Sequence, residues 1–312
     1  MSVRSWTSVA VIMRIVTAAI FIGAWFLVPN FGTGQNVRFL LFSVSAIGIA
    51  AVGLSFITIS GRLFSLSVGA TVAVSTVGFA TWLYLGLLPA VALTLLLGAV
   101  IGAAQGAVVG YLKANPIVTT IAAAAILVGL AQLYTNGRNI TGDGDPSFLQ
   151  SDILGPLPFP VFMFLLVTVV AWFVHRYTRF GRGLTLVGLN ERAALVGGIG
   201  AGRLVTIAFA LSAVAAALAG TLVASQAGQG NLQLGTSYGF DAIVAVVVGG
   251  VSIKGGIGSP LDAAVGALFV ALVGNVLVLS GFTYENQLVL KGLFVVIAVV
   301  LAGRSAASKT RG

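Results

Sequence analysis

The sequence predicts an all-α protein, a polytopic bundle of about ten transmembrane helices with both termini in the cytoplasm. Its 312 residues are 58% hydrophobic and only 7% charged, whereas a soluble domain carries roughly 25% charged residues. Long apolar stretches almost free of charge recur along the chain, and Lys and Arg fall in every second gap between them. Residues 1–312 contain no linker or soluble insert and are expected to form a single integral-membrane domain.

The lengths of the apolar stretches indicate which of them can cross a membrane. A helix needs roughly 20 residues to cross a hydrocarbon core of about 30 Å. Eight stretches are long enough, whereas 238–253 and 288–303 are shorter and either extend into their flanks or form broken or re-entrant elements within the bundle. The predicted segments are 9–29, 39–59, 63–83, 88–111, 117–135, 158–175, 204–225, 238–253, 261–281 and 288–303.

The first stretch has features of a signal peptide, since Arg4 precedes an apolar run. That run continues to Val28 and ends in Pro29, Asn30 and Phe31 with no small-x-small cleavage signal. We therefore expect it to be the first spanning helix.

Ten crossings sort the basic residues to one side of the membrane. Only Arg38 and Arg138 fall on the other side, while Arg14 and Lys291 lie within helix ends, from which they can snorkel. Because cytoplasmic loops are enriched in Lys and Arg, the majority side is predicted to be cytoplasmic. It holds Arg4, Arg62, Lys113, Arg176, Arg179, Arg182, Arg192, Arg203, Lys254, Arg304, Lys309 and Arg311.

Two connections stand out in this topology. Residues 136–157, with three aspartates and a Pro-rich end, form the longest predicted outer loop. Residues 176–203, with five arginines and one acid, Glu191, form the one large inner loop.

Glycine is abundant, with 41 residues, although it is a poor helix former in water. In the fourth segment it recurs every four residues, which places the glycines on one helix face where another helix can approach closely. This face serves either tight packing or a sliding movement during transport. The glycines are Gly98, Gly102, Gly106 and Gly110, and the seventh segment repeats the spacing with Ala208, Ser212, Ala216 and Gly220.

The residues that enzymes use are scarce. There is no cysteine, and His175 is the only histidine, so neither a thiol nucleophile nor a His-based metal centre is expected. All acids are predicted to lie in loops or at helix ends, with no paired carboxylate inside the membrane. We therefore predict no enzymatic activity and no metal site. The acids are Asp143, Asp145, Asp152, Glu191, Asp241, Asp262 and Glu285.

Four neutral amides lie in apolar segments and are candidates for a solute pathway. An amide within the membrane either hydrogen-bonds a polar solute or bonds a neighbouring helix, and both alternatives remain open for each residue. Apart from Arg14 no ionisable group is predicted deep in a segment, which disfavours ion-coupled transport. The amides are Gln105, Gln132, Gln226 and Asn275.

The chain lacks a phosphate-binding loop of its own. No G-x-x-x-x-G-K-[ST] motif occurs, because Lys254 precedes its glycines and Lys309 lacks the preceding glycine. If ATP drives this protein, a partner binds the nucleotide. The basic residues form no patch with interleaved aromatics, so a nucleic-acid partner is not expected.

Two stretches resemble a known family. Residues 177–199 have the sequence YTRFGRGLTLVGLNERAALVGGI, which is similar to the cytoplasmic loop of the ribose/xylose-type permeases of bacterial ABC importers. Residues 238–258, YGFDAIVAVVVGGVSIKGGIG, resemble that family's D-A-I-A-A-V-V-x-G-G-T-S-x-x-G-G-x-G. LSVG at 66–69, Asn275 and Lys291 extend the resemblance over about four fifths of the chain.

The resemblance implies a permease subunit of the bacterial inner membrane, surrounded by lipid, for a monosaccharide or related polyhydroxylated solute. Its implied partners are a second permease copy or close homologue, cytoplasmic ATPase subunits that bind ATP and Mg, and a periplasmic solute-binding protein. This chain itself is expected to bind no cofactor. Asn190, Glu191, Arg192, Ala193, Ala194, Gly198 and Ile199 match the loop that docks into the ATPase. A merely solvated loop is the alternative.

One position departs from the family pattern. Ser65 stands where the pattern G-G-I-D-L-S-V-G has its acid, which leaves room for a polyol, a nucleoside or another small solute. A permease for branched-chain amino acids, an ATPase-independent secondary transporter and a non-transporting scaffold are the remaining alternatives.

Overall fold

A computed structural model describes residues 3–154, 157–283, 285–293 and 296, and side chains from residue 13 onward except at 154 and 236. The two strands, β1 (Asp152–Leu154) and β2 (Leu157–Pro158), pair antiparallel. Residues 285–293 are helical and are called the terminal helix. The other helices are α1 (Val3–Leu27), α2 (Gly34–Ile59), α3 (Val68–Trp82), α4 (Leu87–Gly110), α5 (Pro116–Thr135), α6 (Phe159–Tyr177), α7 (Arg179–Leu189), α8 (Glu191–Val196), α9 (Ala201–Ala227), α10 (Leu232–Val248) and α11 (Pro260–Leu279).

Within the described residues, seven helices are long and apolar enough to cross a membrane, namely α2, α3 with its following turn, α4, α5, α6, α9 and α11. The Met13–Leu27 part of α1 and the whole of α10 are apolar but shorter. The chain is therefore a polytopic helical membrane protein, while the predicted count of ten spans and the position of the termini remain predictions.

Four predicted segments begin five or six residues away from their predicted starts. Of these, α1 and α2 begin early, at Val3 and Gly34 instead of 9 and 39, and the other two are α3 and α10. Residues 60–67 form a non-helical connection in which Gly61 and Leu63 adopt positive φ angles of 77° and 60°, so α3 starts at Val68. The segment predicted at 238–253 starts six residues earlier, where the Asn231 side chain accepts a hydrogen bond from the Gln233 amide and caps α10. Most of the predicted segment 288–303 lies outside the described residues.

The centre of the bundle is α9, which packs against α4, α2 and α3. A Cβ atom at Gly98 would lie 2.7 Å from the Ala213 carbonyl oxygen, and one at Gly106 would lie 2.7 Å from Thr206 Cα. Only glycine therefore allows the backbones of α4 and α9 to approach this closely. The α4 residues that face the α9 backbone in this way are Gly98, Gly102, Gly106 and Gly110.

The helices differ strongly in how much of their surface is covered. Among the 18 consecutive residues that are most apolar in each helix, 89% are buried in α2 and only 11% in α5. The outward face of α5 is thus open to lipid or to another protein chain.

The connections meet at two ends of the bundle. At the first, which we call the basic end, the Gly256 amide donates to the Ile59 carbonyl oxygen at 2.8 Å, and Gly188 of α7 packs on both residues. At the second, the opposite end, Ile140 and Gly230 form a β-bridge. Three connections predicted to be inner thus meet at the basic end and two predicted to be outer meet at the opposite end, while the side that faces the cytoplasm stays a prediction.

Candidate functional site

The predicted inner loop 176–203 is folded into two helices rather than a loop. The Thr178 side chain caps α7 by accepting from the Gly181 amide at 3.2 Å. The Asn190 side chain caps α8 by accepting from the Ala193 amide at 3.1 Å. The residue pattern therefore encodes two helix starts, and the extended backbone at Asn190 turns α8 away from α7.

Glu191, the first residue of α8, is the centre of an ion-pair cluster at the basic end. Arg62 Nη2 lies 2.7 Å from Glu191 Oε2, and Lys113 Nζ contacts Glu191 Oε1. Partial burial acts to raise the pKa of Glu191, but hydrogen bonds and charge from Lys113 and Arg62 outweigh it and hold the pKa below its ordinary value. Glu191 thus ties α8 to the α2–α3 and α4–α5 connections.

The inward face of α8 packs on the rest of the segment. Ala194 is buried against Val187 and Ala201. The Ile199 amide donates to the Ala194 carbonyl oxygen at 2.9 Å, and Gly198 allows this turn with a φ of 75°. Three of the predicted docking-loop residues, Ala194, Gly198 and Ile199, therefore hold α8 in place.

The outward face of α8 is exposed. Arg192 and Ala193 lie on it, together with Leu195 and with Val196, which is 92% exposed. Leu195 and Val196 together give the end of α8 an exposed apolar edge beside the Arg192 charge.

Gln105 lies in a buried hydrogen-bond network at the basic end. The Ser67 hydroxyl donates to Gln105 Oε1 at 2.7 Å and bonds Ser65 at 2.9 Å. The Leu66 amide donates to Thr120 Oγ1 at 3.1 Å. The residue at which this chain departs from the family pattern, Ser65, thus helps to link the 60–67 connection to α4.

Gln132 lines a polar cavity of about 540 Å³ at the opposite end, between the end of α5 and the start of α10. Arg138, Asn139 and Asn231 also line it, and Asn231 Nδ2 donates to Asn139 Oδ1 at 2.7 Å. This volume is in the range of small-molecule sites, about 300–1,000 Å³. Amides and a guanidinium in such a space match the hydroxyl groups of a polar solute.

Gln226 lines a second cavity at the same end, of about 330 Å³. Arg38 and Asp152 form an ion pair beside it, and Gln150 donates to the Ser225 carbonyl oxygen at 2.5 Å. The charges at this cavity therefore compensate each other.

Asn275 has a protein partner in α2. Asn36 Nδ2 donates to Asn275 Oδ1 at 3.1 Å, and Asn275 Nδ2 donates to Asn36 Oδ1 at 2.7 Å. This reciprocal pair joins α2 to α11. The contact between helices is therefore present, while a pathway role for Asn275 stays a prediction.

The prediction that every acid lies in a loop or at a helix end is wrong for Asp241. Because α10 starts at Leu232, Asp241 lies in the middle of that helix. Lys291 Nζ binds its two carboxylate oxygens at 2.7 and 3.0 Å, and each side chain is only 10% exposed. Lys291, predicted to snorkel, thus pairs inside the bundle. The sequence did contain a signal for this pair, because the two short apolar segments, 238–253 and 288–303, hold one acid and one base respectively.

The described residues offer amides, ion pairs and closely packed backbones. They contain no group of three His, Cys, Asp or Glu side chains placed to hold a metal ion. The arrangement is suited to binding a polar solute and to transmitting movement between helices.

Comparison with known proteins finds permease components of transport systems. Residues 36–299 match the family described as branched-chain amino acid transport system / permease component. The ribose import permease protein of Bacillus subtilis (strain 168) is 34% identical over 285 residues, covering 89% of this chain and 88% of that protein. No solved structure matches the chain.

Two further relatives show the same extent of similarity. The ribose import permease protein of Escherichia coli (strain K12) is 33% identical over 288 residues, with 88% of this chain and 87% of that protein covered. The autoinducer 2 import system permease protein of Escherichia coli O9:H4 (strain HS) is 33% identical over 283 residues, with 86% and 84% covered. The chain therefore belongs to the family of branched-chain amino acid transport system permease components, and it is a multi-pass membrane transport protein rather than an enzyme.

Proposed function

We propose that this chain is the transmembrane subunit of an ATP-driven ABC importer that moves a monosaccharide or related polyhydroxylated solute into the cytoplasm by alternating access. The observation that carries the proposal is the Glu191 cluster, which joins α8 to the connections holding Arg62 and Lys113. The similarity to ribose import permeases supports the solute class.

In this proposal α8 is the docking element for a cytoplasmic ATPase subunit, which binds the ATP and Mg. The exposed Leu195 and Val196 supply apolar contact surface, and Arg192 supplies a charge at its edge. A displacement of α8 pulls through Glu191 on the ends of α2 and α4. Because α4 and α9 are in backbone contact, that movement reaches the centre of the bundle.

The cavity at Gln132 is the proposed receiving site for the solute. Its lining side chains include Gln132, Asn139 and Asn231. An amide has two N–H donors and an oxygen with two lone pairs, so each can bond a hydroxyl group in addition to the Asn231–Asn139 contact. A periplasmic binding protein delivers the solute to this end. Gln105, within the Ser67 network, is the proposed polar group near the cytoplasmic exit.

The remaining partners follow from the same proposal. A second permease copy or a close homologue covers the exposed face of α5 and completes the pathway. The assembly lies in the bacterial inner membrane, with lipid around it and both termini in the cytoplasm.

Reconstitution in liposomes tests the proposal. The chain is inserted alone, with its ATPase subunit, and with ATPase, ATP and the solute-loaded binding protein. We expect solute uptake only in the complete system. Ribose, a nucleoside and a branched-chain amino acid compete in the same assay, and the proposal expects the sugar to be preferred. Uptake by the chain alone would contradict an ABC mechanism.

A secondary transporter is the second candidate, and one observation favours it. Asp241 and Lys291 place two ionisable groups inside the bundle, and such groups often mark ion pathways in coupled transporters. This candidate expects uptake without the ATPase, driven by a proton or sodium gradient across the same liposomes.

A further inference from the structure

The Asp241–Lys291 pair is difficult to explain by stability alone. Both side chains lose most of their hydration when they are buried, and this loss can exceed the attraction between the charges. Apolar side chains of similar size would often serve stability as well. An ion pair inside a membrane bundle therefore points to a specific role for its two helices.

The terminal helix is polar on the side that faces the bundle. Among its described residues the buried side chains are Gln287 and Lys291, four positions apart and so on one face. In contrast, Val289 is 63% exposed and Leu293 is also exposed. Leu290 is half-buried, so among the described residues of this helix the two buried side chains are both polar.

The polar face makes a single polar link to another helix within the described residues. Gln287 Nε2 donates to the Phe282 carbonyl oxygen at 3.2 Å, just before the terminal helix itself. Lys291 alone reaches across, to Asp241 of α10. Its Nζ lies beside Gly274 of α11, at 3.9 Å from where a Cβ atom would be.

We propose that the Asp241–Lys291 ion pair attaches the terminal helix to α10, and that transport requires this attachment. Asp241 and Lys291 are thus positioning residues. Next to Gly274, the reciprocal amide pair of Asn275 and Asn36 joins α11 to α2. The two polar pairs thus adjoin neighbouring positions of α11, and release of the terminal helix leaves Asp241 without its partner.

Cysteine labelling measures the attachment directly, because the chain has no cysteine of its own. A Gln287→Cys substitution places a thiol on the buried face, and Glu285→Cys provides an exposed control at the start of the same helix. The rate of reaction with N-ethylmaleimide is measured for each in membranes. This measurement requires neither an ATPase nor a known solute, so its outcome is independent of the proposed function.

Each cysteine variant is combined with one of three changes at the ion pair, which distinguish loss of the pair from a general loss of structure. Lys291→Met removes the link but leaves a buried charge, whereas Asp241→Ala with Lys291→Ala removes the link and leaves no unpaired charge. Lys291→Arg keeps the pair. We expect the thiol at Gln287→Cys to react about tenfold faster or more in the first two backgrounds, which corresponds to roughly 1.4 kcal/mol of lost attachment. In the Lys291→Arg background the same thiol should react slowly. The reaction rate of Glu285→Cys should be the same in all three backgrounds.

Uptake in the complete liposome system is the second measurement, and this arm rests on the proposed function. The double-alanine variant is expected to lose most of its uptake and Lys291→Arg to keep it. Slow labelling in the double-alanine variant would overturn the attachment. Fast labelling with full uptake would overturn its role in transport. If Lys291→Met is absent from membranes, the double-alanine variant still decides the question.

Discussion

Arg62 and Glu191 are 129 positions apart in the sequence, yet Arg62 Nη2 lies 2.7 Å from Glu191 Oε2. Lys113 contacts the other carboxylate oxygen from a third connection. One short helix, α8, is therefore connected to two parts of the bundle through a single side chain.

Replacing Glu191 with Gln removes the charge that holds Arg62 and Lys113. Partly exposed ion pairs contribute about 0–1 kcal/mol each, so the protein should remain folded. We expect uptake in the reconstituted importer to fall severalfold while the ATPase subunit still hydrolyses ATP. Arg203→Gln is the matched control, since Arg203 is exposed at the same end and has no ion pair within the described residues. Unchanged uptake in Glu191→Gln would contradict the coupling role.

The same carboxylate predicts a pH dependence. Because the pKa of Glu191 in the folded protein lies below its ordinary value of 4.5, its ionised form stabilises the fold above that pH. The contribution is lost as pH falls through the folded pKa. We expect the apparent unfolding temperature of the wild type in detergent to exceed that of Glu191→Gln by a constant amount from pH 8 to about 5. The difference should close in more acidic buffer, and a difference that changes between pH 6 and 8 would refute the assignment.

Close packing of α4 on α9 predicts a position-specific cost for an added methyl group. Gly106→Ala places a Cβ atom 2.7 Å from Thr206 Cα, whereas Gly129→Ala in α5 has no atom within 4 Å. Overpacking a core typically costs 1–3 kcal/mol. We expect Gly106→Ala to lower the unfolding temperature in detergent by several degrees and Gly129→Ala to leave it unchanged. Equal behaviour of the two variants would contradict the α4–α9 contact.

Substitutions of Gln132 and Asn275 should have different effects. Gln132→Leu removes a polar group from the large cavity, and a lost hydrogen bond is worth about 0.5–1.5 kcal/mol. The rate of uptake, measured at a saturating concentration of solute-loaded binding protein, should therefore fall about 2- to 10-fold. The stability of the variant should not change. Asn275→Leu breaks the pair with Asn36 and should lower stability instead. A stability loss in Gln132→Leu and normal stability in Asn275→Leu would reverse this assignment.

Many residues of the candidate site could be predicted from the sequence, but the residues that they contact could not. Glu191 and Asn190 matched a family motif, and the caps at Thr178 and Asn190 are local patterns. That Glu191 meets Arg62 and Lys113 was not predictable, because the contacts join three separate connections. Gln132 and Asn275 look alike in sequence, yet one lines a cavity and the other bonds Asn36.

The sequence by itself determined that the chain is a helical membrane protein, where most spans lie and how the basic residues are sorted. Hydropathy, charge and small-residue spacing act on each segment separately, so each can be recognised along one dimension. Only the tertiary structure decided which face of α10 turns inward, and hence that Asp241 meets Lys291 within the bundle. Such pairs depend on the rotation and register of one helix against another. Those are set by the packing of the whole bundle, and no single segment encodes them.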